Sequence, residues 1–250
     1  MNPTLLKFVQ EHLGESTGLG RPPKVIDDHR YRLSRIVDQP LPYWLRDLVD
    51  EAKDNPSLLL NVVDYVVHYC QLKPSRLPQL QVALEEGRSA YVVGVDSGGH
   101  LELQHRQPPE LTELMNETLS GRDEVARQLA AAWSGAFGRT PDLKAACDAA
   151  VVAVEEAAKP VVIPNDQRAT LGLIIKALED KPEKWTTVTG SDRDIDSVIG
   201  MLRLVWTGFT RHGGDPSPIP LTPELAQMIV HTAVLLVHWF QSGSVRRMTA

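Results

Sequence analysis

The stretch SDRDIDSVIGMLRLVWTGFTRHGGD, residues 191–215, decides the fold class of this chain. Its apolar residues Ile195, Val198, Ile199, Leu202, Val205, Trp206 and Phe209 recur at i, i+3, i+4, i+7, i+10, i+11 and i+14, which is one face of an α-helix. Ser191 stands at the expected N-cap. Asp192 and Asp194 place negative charge in the first turn, where the helix dipole favours it. The polar run Arg211-His212-Gly213-Gly214-Asp215 ends the element. A second helix opens at Thr222-Pro223, a cap followed by a first-turn proline. It is apolar nearly all round as far as Phe240, which places it at the centre of a bundle or at an interface.

Upstream, the same helical period recurs. Val125, Leu129, Trp133 and Phe137 make a stripe over 123–137, preceded by a pattern over 109–119. Ser120 and Asp123 resemble a capping box between them. Thr140-Pro141 opens an alanine-rich helix expected to run to about Lys159 and to stop at Pro160. Leu171, Ile174, Ile175 and Leu178 give one face to a helix over 167–180. Nearer the N-terminus, helical patterns cover 3–13, Leu41 to Ala52 and Leu58 to Leu72, the last strongly apolar. Residues 24–40 are polar and ambiguous, and Asp27-Asp28-His29-Arg30 reads as a solvated charge run.

One segment has a different period. Ser89 to Val95 and Leu101 to His105 flank Asp96-Ser97-Gly98-Gly99, which reads as a β-hairpin. A lone hairpin is marginal in water, so it must lie on helices. The expected fold is mainly α: an N-terminal helical region over 1–75, a linker with the hairpin over 76–108, and an antiparallel helical bundle over 109–250.

Composition bounds the function. A chain of 250 residues, 42% hydrophobic and 23% charged, can bury a sizeable core. Its net charge of −6 argues against a broad footprint for nucleic acid or anionic membrane, though not against a local basic groove. Residues 161–250 hold nine basic and nine acidic residues, so the acidity lies in the first 160. Cys70 and Cys147 form neither a disulfide framework nor a zinc spacing, and both read as small buried hydrophobes. No signal peptide is evident at Met1-Asn2-Pro3-Thr4. The apolar run Ala226 to Phe240, broken by Gln227, His231, Thr232 and His238, is too short and polar to span a bilayer. A cytoplasmic protein without membrane partners is expected. Phosphate loops, dinucleotide fingerprints and nucleophile elbows are absent, so no cofactor and no metal is expected.

His231 and His238 lie seven residues apart among leucines and valines, and read as core or interface histidines rather than ligands. Adjacent Glu155 and Glu156 point in different directions on a helix and read as a solvated face. Arg211-His212 is more suggestive. A histidine of near-neutral pKa can take a proton from a ribose 2′-hydroxyl while arginine holds the phosphate. Arg203 lies on the same helix, and Gly213-Gly214 permits close approach of a ligand. His212, Arg211 and Arg203 are therefore candidate catalytic residues. The competing reading is a helix end, where cations complement the dipole and glycine supplies the cap.

The series 130–138 (AAAWSGAFG), 148–155 (DAAVVAVE), 161–165 (VVIPN) and 169–172 (ATLG), closed by Arg211-His212-Gly213 and by Val237-His238-Trp239-Phe240, resembles the C-terminal domain of bacterial abortive-infection-like proteins, a branch of the HEPN superfamily. The resemblance covers roughly residues 120–242. It implies a four- or five-helix up-and-down bundle, often dimeric. In active members an Arg followed after four to six residues by His forms a metal-independent ribonuclease site at the dimer interface. His212 would match that His. The Arg would fall at 205–207, where this chain has Val205, Trp206 and Thr207. The expectation is thus a non-catalytic helical binding or dimerisation module, with a second copy, a protein or RNA as partner. The alternative is a divergent metal-independent ribonuclease that uses His212 with Arg211 or Arg203.

Overall fold

The computed structural model describes residues 3–15, 23–70, 74–119, 123–190, 194–207 and 220–248. These form a mainly helical protein of two compact units, Met1–Arg106 and Gln107–Ala250.

The first unit is built around its most apolar helix. In chain order it holds α1 (Pro3–Leu13), β1 (Gly14–Glu15), β2 (Lys24–Val25), α2 (Asp27–Ile36), α3 (Leu45–Asp54), α4 (Pro56–Tyr69), α5 (Leu77–Glu86), β3 (Tyr91–Val95) and β4 (Leu101–His105). Asn55 starts α4 by accepting the Leu58 N–H at 3.0 Å, with Pro56 in the first turn. Leu58, Leu59, Val62, Val63, Tyr65, Val66 and Val67 are then all buried, because α1, α2, α3 and β4 all pack on this helix. The hairpin pairs Tyr91 with His105 through to Val95 with Leu101. Asp64 of α4 pins it by accepting the Leu103 N–H at 2.6 Å.

Two readings change here. The charge run opens α2, with Asp27 and Asp28 exposed but His29 and Arg30 half-buried, and the helix buries only Leu33 and so leaves little apolar periodicity to detect. Residues 76–108 contain α5 as well as the hairpin, and both belong to the first compact unit.

The second unit comprises α6 (Pro109–Thr118), α7 (Glu124–Phe137), α8 (Leu143–Val162), α9 (Leu171–Asp180), β5 (Trp185–Thr187), α10 (Asp194–Thr207), α11 (Pro223–Gln241) and β6 (Val245–Arg247). The nearly all-apolar α11 lies at its centre, packed on α6, α7, α8 and α10. Small residues let α7 and α8 approach closely. A Cβ on Gly135 would sit 3.0 Å from the Ala146 Cβ and 3.1 Å from the Asp142 carbonyl. On α10, Ile195, Val198, Ile199, Leu202 and Val205 are buried as the periodicity requires. Trp206 is half-buried against Gly172, while Ser191 and Phe209 lie outside the described residues.

Helix boundaries shift where local chemistry outweighs the pattern. Asp123 caps α7 through the Ala126 N–H, while Ser120, its expected partner in a capping box, lies outside the described residues, and Asp142, not Thr140, caps α8 through the Ala145 N–H. Pro160 does not stop α8. It removes one N–H donor, but the chain keeps its helical course to buried Val162, and the Ile163 N–H bonds the Lys159 carbonyl at 2.9 Å. Two strand pairs beyond the hairpin, β1–β2 and β5–β6, are only two and three residues long per strand. Strands so short carry no readable alternation. No helix among the described residues is long and apolar enough to cross a membrane.

Candidate functional site

Of the three candidate catalytic residues of the alternative ribonuclease reading, Arg203 is described and Arg211 and His212 lie outside the described residues. Arg203 reaches from α10 to α9, where its Nε and Nη2 donate to the same Glu179 oxygen at 3.0 and 2.6 Å. A guanidinium engaged in this way is opposed by a carboxylate before any phosphate arrives. The pair is open to solvent and adds only about 0–1 kcal/mol to stability.

The other candidates in the second unit have structural partners. His231 stacks on Phe137 (centroids 5.0 Å apart, planes at 21°), and its Nε2 lies 3.2 Å from Gln107 Oε1. Burial holds its imidazole below the ordinary value, so the neutral ring donating to the amide oxygen is the favoured form. The Glu155–Glu156 pair is not a solvated face. Glu155 accepts the Leu171 N–H at 2.7 Å and so caps α9, and Glu156 pairs with the buried Lys159 at 2.5 Å. A helix-start N–H and a buried ammonium each demand an acceptor, and adjacent carboxylates reach the two in different directions. Cys147 is fully buried, and burial pushes its thiol up to about 12, as a core hydrophobe requires.

The outward side of α11 carries apolar residues. Met228 is 44% exposed, and Leu235 and Trp239, two and three turns further along, are half-buried, with the buried Thr232 between Met228 and Leu235. Trp239 also borders a groove of about 290 Å³ that it shares with Val188, Val198 and Val245.

The first unit contains a cluster that the sequence reading did not find. His68 lies in the last turn of α4, and Asp96 and His100 bracket the hairpin turn. The ligand-capable atoms of all three lie within 4.8 Å of one another. Asp96 Oδ1 accepts the Gly98 and His100 N–H groups at 2.8 Å each, which fixes the carboxylate and leaves Oδ2 directed at His100 Nδ1, 3.3 Å away. The rings of His68 and His100 are 5.2 Å apart. Gly99 supplies a left-handed residue (φ 82°) to the turn. Gly98 makes room for the imidazole, since a Cβ there would lie 2.9 Å from His100 Nδ1. The Asp-Ser-Gly-Gly-His spacing is a visible local signal, but His68 precedes it by a helix and a strand, and only the fold joins them.

A second polar chain lies nearby in sequence. His29 Nδ1 is 2.9 Å from the Tyr65 hydroxyl, and its Nε2 is 3.9 Å from Cys70 Sγ. Burial raises the Cys70 thiol and drives Tyr65 up to about 12. An activated nucleophile needs the opposite shift, so these contacts serve as a hydrogen-bonded support for α2 on α4.

Comparison with protein-family models, curated proteins and solved structures finds no match.

Proposed function

We propose that the second unit is a non-catalytic helical binding module that pairs with a second copy of the chain through the outward face of α11. The observation that carries this reading is the stripe Met228, Leu235 and Trp239. A central bundle helix that leaves Met228 exposed and Leu235 and Trp239 half-buried presents an apolar strip that association would cover. The resemblance to abortive-infection-like domains points the same way, since it implies dimeric bundles and a place among defence and stress-response proteins. The Arg203–Glu179 pair adds support, because a cation near the end of α10 is already matched by a carboxylate.

Sedimentation velocity on the full chain tests the reading. The wild type is expected to sediment as a dimer, and Met228→Asp as a monomer with unchanged far-UV circular dichroism. A wild type that stays monomeric at micromolar concentration contradicts self-association. RNA cleavage in EDTA that disappears in His212→Ala would replace this reading with the divergent metal-independent ribonuclease.

A further inference from the structure

We infer that His68, Asp96 and His100 form a binding site for a late first-row divalent cation, zinc in the first instance, that clamps the hairpin turn to the C-terminal end of α4. The site lies wholly in the first unit and stands whether or not α11 dimerises.

The backbone brings the ligands together without help from a metal. Asp64 and His68 are one helical turn apart on the same side of α4. Asp64 holds the Leu103 N–H, which sets β4 against this side and delivers His100, three residues earlier, to His68. The turn then orients the carboxylate through two backbone N–H groups, the kind of outer-shell support that ligating carboxylates receive in metal sites.

The donor set and spacing suit zinc. Two imidazoles and one carboxylate are favoured zinc donors, and three protein ligands leave a fourth position to water. With metal–ligand bonds near 2.0–2.1 Å, tetrahedral ligand atoms stand roughly 3.3 Å apart. Asp96 Oδ2 and His100 Nδ1 are already at 3.3 Å. The separations to His68 fall within 4.8 Å, a gap that a change of the His68 side-chain rotamer would close. The negative end of the α4 dipole also favours a cation beside its last turn. The alternative role for these groups, a capped turn with a surface His–Asp contact, accounts for Asp96 but not for the second imidazole facing it.

The test is calorimetric titration of zinc chloride into the chelator-stripped full chain. One zinc per chain is expected to bind in a distinct tight phase. His100→Ala is expected to weaken that phase at least ~10-fold. Asp96→Asn keeps an acceptor for the two turn N–H groups and is expected to weaken it to a similar degree, with circular dichroism unchanged. His105→Ala, on β4 but outside the cluster, is expected to leave it intact. Absence of a stoichiometric phase overturns the inference, and so does a phase that His100→Ala and Asp96→Asn both leave within about twofold of wild type.

Discussion

In the second unit His231 lies flat on Phe137 and meets the amide of Gln107, whereas in the first unit His68 and His100 face each other with the Asp96 carboxylate beside them. Both arrangements begin from a histidine set in an apolar helical pattern. They diverge because of what the fold places opposite. An amide oxygen accepts the one N–H of a neutral ring and calls for no further proton. A carboxylate with two imidazoles gathers lone pairs that call for a proton or a metal ion. Histidine in a helix pattern therefore says little until its partner is known, and the partner is here set by Gln107 in one unit and by the Asp64-anchored hairpin in the other.

Removing the surface beneath His231 strikes the comparison hardest. Phe137 is fully buried, and Phe137→Ala is expected to cost about 3–5 kcal/mol by urea denaturation. A smaller loss would mean that the aromatic stack is not part of the core.

On the other side, Asp64→Ala removes the acceptor of the buried Leu103 N–H. It is expected to cost about 1–3 kcal/mol. Zinc affinity should fall with it while Asp64→Asn restores both, which would mark Asp64 as a positioning residue. An Asp64→Ala protein of normal stability and full zinc affinity would show that the hairpin finds α4 without it.

His231 gives the comparison a pH signature. Burial depresses its folded pKa below the ordinary 6.5. The unfolded chain thus takes up a proton first as pH falls, and the neutral ring's contribution is complete above 6.5 and is lost as pH drops through the lower folded value. His231→Gln is expected to flatten this part of a stability–pH curve measured by urea midpoints. An unchanged slope would remove burial as the cause.

The smallest effect belongs to Arg203→Ala. Its exposed pair with Glu179 should yield a loss of about 0–1 kcal/mol and a barely shifted melting temperature. A large loss would show that the pair ties α9 to α10.

What could be read in advance followed burial. The α10 face from Ile195 to Val205, the stripe Val125 to Phe137 and the hairpin were legible because one side of each is apolar at a fixed period. Helix α2 was hidden because Leu33 is its only buried residue. The end of α8 was misplaced because the breaking effect of Pro160 was weighed without the burial of Val162 beyond it. Glu155 looked solvated because its partner, the α9 N-terminus, is set by helix placement, and Glu156 because packing, not the three-residue spacing to Lys159, buries that ammonium. The site was least legible of all. Asp96 and His100 share a turn, but His68 joins them only once β4 is packed on α4, where Asp64 holds the Leu103 N–H.

Native mass spectrometry of the zinc-supplemented full chain tests both halves of the account in one reading. The wild type is expected as a dimer carrying two zinc ions. His100→Ala should appear as a dimer without zinc, and Met228→Asp as a monomer with one. His231→Gln should match the wild type. A monomeric wild type contradicts the role given to α11. A wild type without zinc, or a zinc ion retained by His100→Ala and lost from His231→Gln, contradicts the division drawn between the two units.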